Sequence, residues 1–279
     1  MEGFKLPLDV WVESFISFLT DNFGGLFGVI SNLLDSVVGA LGDAILFINP
    51  FVFIAIIAAL AWKVSRWPLA VFTLIGMLMI VNLGYWEQAA QTMSLVLTSV
   101  LISVIVGVPL GIASVMNRSI NNILSPILDF MQTMPSFIYL IPAIFFFGLG
   151  MVPGVFASVI FAMPPTIRMT ILGIRQISNE LIEAADAFGT TPFQKLLKVQ
   201  LPLATPTIMA GINQSIMLSL SMVVIAAMIG APGLGTEVYR AVTQLNIGMG
   251  FEAGLSIVIL AIILDRMSQN IGKKQRRFQ

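Results

Sequence analysis

Residues 178–202 read SNELIEAADAFGTTPFQKLLKVQLP. Apolar runs flank the stretch on both sides, yet it holds Glu180, Glu183, Asp186, Lys195 and Lys198 and is too polar to enter hydrocarbon. Its spacing predicts two short helices joined at a glycine. Ser178 or Asn179 can cap the first, and Glu180 and Glu183 in its opening turn complement the positive end of the helix dipole. Gly189 stops that helix, because glycine takes the left-handed backbone of a helix end without a steric cost. The run Thr191, Pro192, Phe193, Gln194 is a capping-box pattern with proline at the first helical position, so the chain restarts as a helix at once. Pro202 is expected to end it.

The flanks explain why such a segment matters. Of 279 residues, 57% are hydrophobic and 10% charged, and the mean hydropathy is +0.96; soluble domains carry about 25% charged residues, so this is a polytopic membrane protein. The formal net charge is zero, so no global field draws in nucleic acid. The chain has no cysteine and no histidine, which excludes disulfides, thiolate or imidazole metal sites and serine- or cysteine-histidine catalysis. No GxxxxGK[ST] occurs, so any nucleotide that drives this protein binds on another chain. The paired glycines Gly148/Gly150, Gly233/Gly235 and Gly248/Gly250 do not extend into GxGxxG and read as turns.

In chain order, residues 1–46 are amphipathic. Trp11, Phe15 and Phe18, then Leu26, Ile30, Leu33, Val37 and Leu41, recur at helical spacing, while Asp9, Glu13, Asp21, Asp35 and Asp43 interrupt any long apolar run. Gly24-Gly25 should divide them into two interfacial helices. The start is acidic rather than basic, unlike a signal peptide, and is expected to stay on the mature protein. Spans are expected at 47–64, 68–86, 90–116, 136–150, 152–172, 207–230 and 251–271, the fourth extended backward as a kinked helix. A basic tail, 272–279, follows and is a topology anchor or a contact for anionic lipid. Of the fourteen Lys and Arg, all but Lys5 and Arg240 fall on the side of the charged segment and tail. That side is therefore cytoplasmic and the N-terminus outside.

Within the spans, Ser99, Ser103, Gly107 and Gly111 form one small-residue face, and Gly211, Ser215 and Ser219 another, either for close helix packing or for lining a pore. Pro109 and Pro164-Pro165 should kink their helices. The span centres carry no ionisable residue, which argues against proton coupling and for a cargo without net charge. A zwitterion with a quaternary ammonium fits, because aromatic faces hold such a cation without a counter-charge. Phe137, Tyr139 and Phe146 are the candidate pathway residues, although aromatic runs in spans also serve packing.

Glu183-Ala184-Ala185, then Gly189, then Val199-Gln200-Leu201-Pro202 resembles the EAA loop of membrane subunits of binding-protein-dependent ABC importers, with valine where that family has isoleucine. The stretches 132–142 (QTMPSFIYLIP), 161–174 (FAMPPTIRMTILGI), 201–211 (LPLATPTIMAG) and 259–266 (ILAIILDR) look like the glycine betaine/proline betaine permease branch, the OpuA-type osmoprotectant importers. The resemblance covers roughly residues 50–270. It implies an all-α permease of the type I ABC importer fold, with about seven transmembrane helices after the amphipathic ones. It implies a dimeric pathway in a bacterial cytoplasmic membrane, two ATPase subunits that bind ATP and magnesium, and an external substrate-binding protein. Glu183, Ala184, Ala185, Gly189, Pro192, Leu201 and Pro202 would couple to the ATPase, and this chain would be no enzyme and hold no cofactor. Other cargoes left open are choline, carnitine or an amino acid; a passive channel has no use for such a loop.

Overall fold

Every regular element is a helix in the computed structural model, which describes residues 7–275, with side chains up to residue 270. The basic tail expected at 272–279 thus lies outside the described side chains. The helices are α1 (Leu8–Phe47), α2 (Pro50–Val64), α3 (Trp67–Asn82), α4 (Trp86–Met116), α5 (Arg118–Thr133), α6 (Leu140–Phe147), α7 (Met151–Arg175), α8 (Asn179–Ala187), α9 (Pro192–Lys195), α10 (Leu201–Ala227), α11 (Leu234–Thr243) and α12 (Ile247–Gln275).

The centre of the bundle is the trio α4, α7 and α10, and the small-residue faces make it possible. A Cβ placed on Gly111 would lie 2.7 Å from Thr170, and one on Gly211 2.7 Å from Met169, so α7 is in near backbone contact with both neighbours. Ser99, Ser103, Ser215 and Ser219 are fully buried along the same seams. A hydrogen bond of 2.7 Å between Thr166 and Ser215 ties α7 to α10, and Ser215 Oγ donates to the Ala162 carbonyl at 2.5 Å. These faces are helix packing. Both α4 and α7 run unbroken through Pro109 and Pro164-Pro165.

Three expectations about elements need correction. Gly24-Gly25 does not break the first segment: α1 is one helix of 40 residues, because glycine weakens a helix by about 1 kcal/mol relative to alanine yet is free to keep helical angles. Its apolar face, Trp11, Phe15, Phe18, Leu26 and Leu33, stays exposed. Its inner face meets the ends of the bundle remote from the charged segment: Phe27 stacks on Phe146 with ring centroids 4.4 Å apart, and the Ser94 hydroxyl donates to the Val38 carbonyl.

The count of seven spans also changes. Among the described residues, five helical stretches are long and apolar enough to cross a membrane, α1 included, and a sixth crossing arises if a bent pair counts as one. That pair is the fourth expected span. Its kink is a bend of 111° between α5 and α6, because Met134 before Pro135 is held extended (ψ 134°) and a 3-10 turn, Ser136–Tyr139, follows. With 15 and 16 residues, α2 and α3 reach only ~22–24 Å at 1.5 Å per residue, short of a ~30 Å hydrocarbon core. The hairpin is nonetheless tied at both ends, by Phe53 against Trp86 (5.6 Å) and by Asn270 Nδ2 donating to Ser65 Oγ (3.1 Å).

Finally, α11 lies within a stretch read as loop and turns. Leu234 N donates to Thr92 Oγ1 at 2.9 Å, and a Cβ on Gly235 would sit 2.2 Å from the Val223 carbonyl oxygen, so α11 is wedged against α4 and α10.

Candidate functional site

The charged segment forms the site. Helix α8 is brief, and Ser178 stands at its N-cap position in an extended conformation but without a side-chain hydrogen bond, so neither Ser178 nor Asn179 caps it as the sequence suggested. At its other end the turn is fully made. Gly189 takes φ +72°, its N–H donates to the Asp186 carbonyl (2.9 Å), and both N–H and hydroxyl of Thr190 donate to the Ala185 carbonyl (3.2 and 2.8 Å). A Cβ on Gly189 would meet nothing within 4 Å, so the demand for glycine is one of backbone angle alone.

The capping box is present. Gln194 N donates to Thr191 Oγ1 (3.3 Å) and Thr191 N to Gln194 Oε1 (3.0 Å), which starts α9 with Pro192 at its first turn. One feature escaped the sequence reading: Lys195 Nζ donates to both carboxylate oxygens of Asp186, at 2.7 and 2.8 Å. The pair closes the Gly189 turn like a clasp between α8 and α9. Nine residues separate the partners, so no helical spacing advertises the pair.

Pro202 does not end the second helix. Leu196–Gln200 form a π-turn that passes directly into α10, making one helix from Pro192 to Ala227, 36 residues long. A proline at 202 has no N–H to offer the carbonyl four residues back, and i→i+5 bonding just before it lets the chain stay helical. Leu196 is buried with Ile174, Ala204 and Ile208, so the root of the segment is fixed in the core where α7 ends and α10 begins.

The remaining sequence candidates separate into held and presented residues. Ala185 is buried; Glu183, Ala184, Gly189, Pro192 and Pro202 are exposed, and Leu201 is half-buried. Between them stand apolar side chains with no cover on this chain: Phe188 is 90% exposed and Phe193 65%. Apolar side chains on an otherwise polar element outside hydrocarbon mark a surface for another protein.

The pathway candidates fare differently from one another. Phe137 is 53% exposed on the 3-10 turn. Tyr139 is buried and its hydroxyl donates to the Met131 carbonyl, while one face of Phe146 is covered by Phe27. Two ionisable groups along the helices are held by side chains of other helices. Arg168 holds Asp129 (2.5 Å), and half-buried Asp265, inside the expected last span though off its centre, accepts from Asn213 Nδ2 (2.9 Å) and Gln269 Nε2 (2.8 Å). That last cluster joins α10 to α12. No group of three or more metal-ligating side chains occurs among the described residues.

Known proteins share both the sequence and the shape. The family model described as "Binding-protein-dependent transport system inner membrane component" matches residues 99–277. The glycine betaine transport system permease protein of Bacillus subtilis is 59% identical over 98% of this chain and 96% of its own length. The glycine betaine/carnitine transport permease protein of Listeria monocytogenes is 55% identical, covering 97% of each chain. The glycine betaine/proline betaine permease of Escherichia coli is 45% identical over 97% of this chain and 77% of its own. Among solved structures, an inward-facing MetNI methionine ABC transporter chain superposes with a TM-score of 0.62 at 22% identity, over 66% of this chain and 93% of that one.

Proposed function

We propose, on the premise that the chain belongs to the inner-membrane components of binding-protein-dependent transport systems, that it is the permease subunit of an ATP-driven importer of glycine betaine or a related compatible solute. The observation that carries the reading is the build of residues 178–202. A clasped helix-glycine-helix offers Phe188 and Phe193 outward and continues without a break into the core helix α10. An element of that kind has a purpose only if another protein pushes on it. We take that protein to be an ATPase subunit that binds ATP and magnesium, with Glu183, Ala184, Ala185, Gly189, Pro192, Leu201 and Pro202 forming or supporting the contact. Two permease copies, two ATPase subunits and an external binding protein make up the assembly on this reading. The residues 178–202 and the C-terminus then lie in the cytoplasm of a bacterial cell, and α1 lies on the outer face as an interfacial segment.

The named relatives and the chemistry of the bundle support the cargo. Along α7 and α12 the charges deepest in the bundle are already held, Arg168 by Asp129 and Asp265 by Asn213 and Gln269, so a substrate with net charge finds no free partner there, whereas a trimethylammonium needs only an aromatic face. Phe137 offers one. Phe146 and Tyr139 line the pathway only if their present packing partners move aside.

The test is uptake in vesicles holding the permease with its ATPase and binding protein. Labelled glycine betaine should accumulate only with ATP, and unlabelled glycine betaine should compete better than choline, carnitine or proline at equal concentration. Preference for a sugar or an inorganic ion would remove the cargo assignment.

A further inference from the structure

A cavity of about 380 Å³ opens between α1, α2, α3, α4 and α12, and every side chain that lines it is apolar, Phe53, Ile57, Met77, Met93, Leu260 and Met267 among them. Such a cavity does not hold water, since a water molecule needs two or more polar partners. Left empty, it forfeits dispersion contacts along all of its walls. In a membrane the apolar material at hand is the lipid chain, which is as apolar as a leucine side chain.

A second, independent feature lies at one mouth of this slot. Met267 of the lining is one helical turn from Asn270, whose amide donates to Ser65 in the turn between α2 and α3. Lys63 and Arg66 flank Ser65, and Arg266 precedes Met267. All three cations are exposed, and neither Lys63 nor Arg66 has an acidic partner among the described residues. Trp62 and Trp67, each 67% exposed, stand on either side of the same turn, and tryptophan in that setting marks the level of the lipid headgroups. A dry apolar slot under exposed cations at headgroup depth matches a phospholipid in shape and is complementary to its anionic headgroup, even with Arg266 also paired to Asp265 (3.8 Å).

We propose that this slot is a binding site for one phospholipid, an acyl chain lying between the α2–α3 hairpin and α12 and an anionic phosphate headgroup held by Lys63, Arg66 and Arg266. On the orientation proposed above, the lipid comes from the cytoplasmic leaflet. The chain fills the gap that remains beside the close approach of α3 to α12 at Gly76 and Ile259, so the hairpin is fastened to the core partly through lipid. The site makes no use of the coupling segment or of the cargo, and it stands or falls apart from the transport reading.

The experiment uses full-length permease in nanodiscs that contain phosphatidylglycerol with a photoactivatable group on one acyl chain, with labelled peptides mapped after illumination. Labelling should concentrate on peptides containing Ile57, Met77 and Met267. Met77→Trp, which fills the slot, should lower it there several-fold while exposed Ile75 on the lipid-facing side of α3 is labelled as before. Ile57→Phe is the second filler should Met77→Trp fail to elute as a folded species on size exclusion. Lys63→Gln with Arg66→Gln should leave chain labelling in place but abolish the preference for phosphatidylglycerol over phosphatidylcholine. Even labelling of slot and lipid face, or slot labelling untouched by both fillers, overturns the proposal. So does a slot that is unlabelled in the dimer and becomes labelled on dissociation, which would make the occupant a second copy of the chain.

Discussion

Gly189 is the residue whose replacement separates positioning from folding. With φ at +72° and open space around its Cα, Gly189→Val pays only the backbone penalty of roughly 1 kcal/mol or more, too little to unfold the bundle. The variant should reach the membrane at normal level yet retain less ATPase in pull-down and show slower ATP-driven uptake in the same vesicles. Normal uptake would mean that the turn does not aim the segment. Gly235 predicts the opposite outcome. A methyl there meets the Val223 carbonyl oxygen at 2.2 Å, within backbone that cannot give way, so Gly235→Ala should cost about 1–3 kcal/mol of packing strain and lower the thermal midpoint of the purified permease. Both effects rest on glycine, but only the first was legible in the sequence. A glycine between two capped helices announces a turn, whereas contact between residues 223 and 235 depends on how α11 folds back.

At the scale of elements, the Lys195–Asp186 clasp and the π-turn decide how firmly α8 and α9 are held to each other and to α10. Lys195 is 20% exposed and Asp186 51%, so the ion pair contributes only about 0.2–1 kcal/mol to stability. Its effect should appear in coupling instead. Lys195→Glu should reduce uptake per ATP hydrolysed, and Asp186→Lys in the same chain should restore much of it; equal loss in the single and the double variant would assign the defect to contacts with the ATPase. The capping box at Thr191 and Gln194 could be read directly because it is local chemistry four residues wide. The fate of Pro202 could not. Its sequence signature is that of a terminator, and only burial of Leu196 beside Ile174 makes it favourable for the chain to remain helical through a π-turn. The unbroken α1 was hidden for a related reason, since its continuity at Gly24-Gly25 is supported by packing further along, at Phe27, Leu34 and Val38.

For the whole molecule, topology is the open quantity, and the lack of native cysteine makes it measurable. The contacts of α1 with Ser94 and Phe146 lie at bundle ends remote from residues 178–202, so a cysteine at exposed Asn32 should react with an impermeant maleimide in intact cells. Reaction only after permeabilisation would place that part of α1 inside. The all-helical, membrane-spanning architecture was readable because hydropathy is a sum over many residues. The pathway was not, because its candidate aromatics fall on a chain bent through 111° and packed on distant partners, Phe146 on Phe27 and Tyr139 on the Met131 carbonyl, which no local spacing shows. The unbroken helix from Pro192 to Ala227 has one further consequence. At 36 residues it is a lever ~54 Å long. Its short arm projects beyond the core and its long arm lies among α4, α7 and α12. Turning about the buried Leu196, a movement of the short arm by a given distance sweeps the far end of the long arm several times as far. On the reading proposed above, a small stroke delivered at Phe193 would be geared up toward the opposite end of the bundle, and the π-turn beside the fulcrum is the place where such a stroke would be absorbed if it were not transmitted.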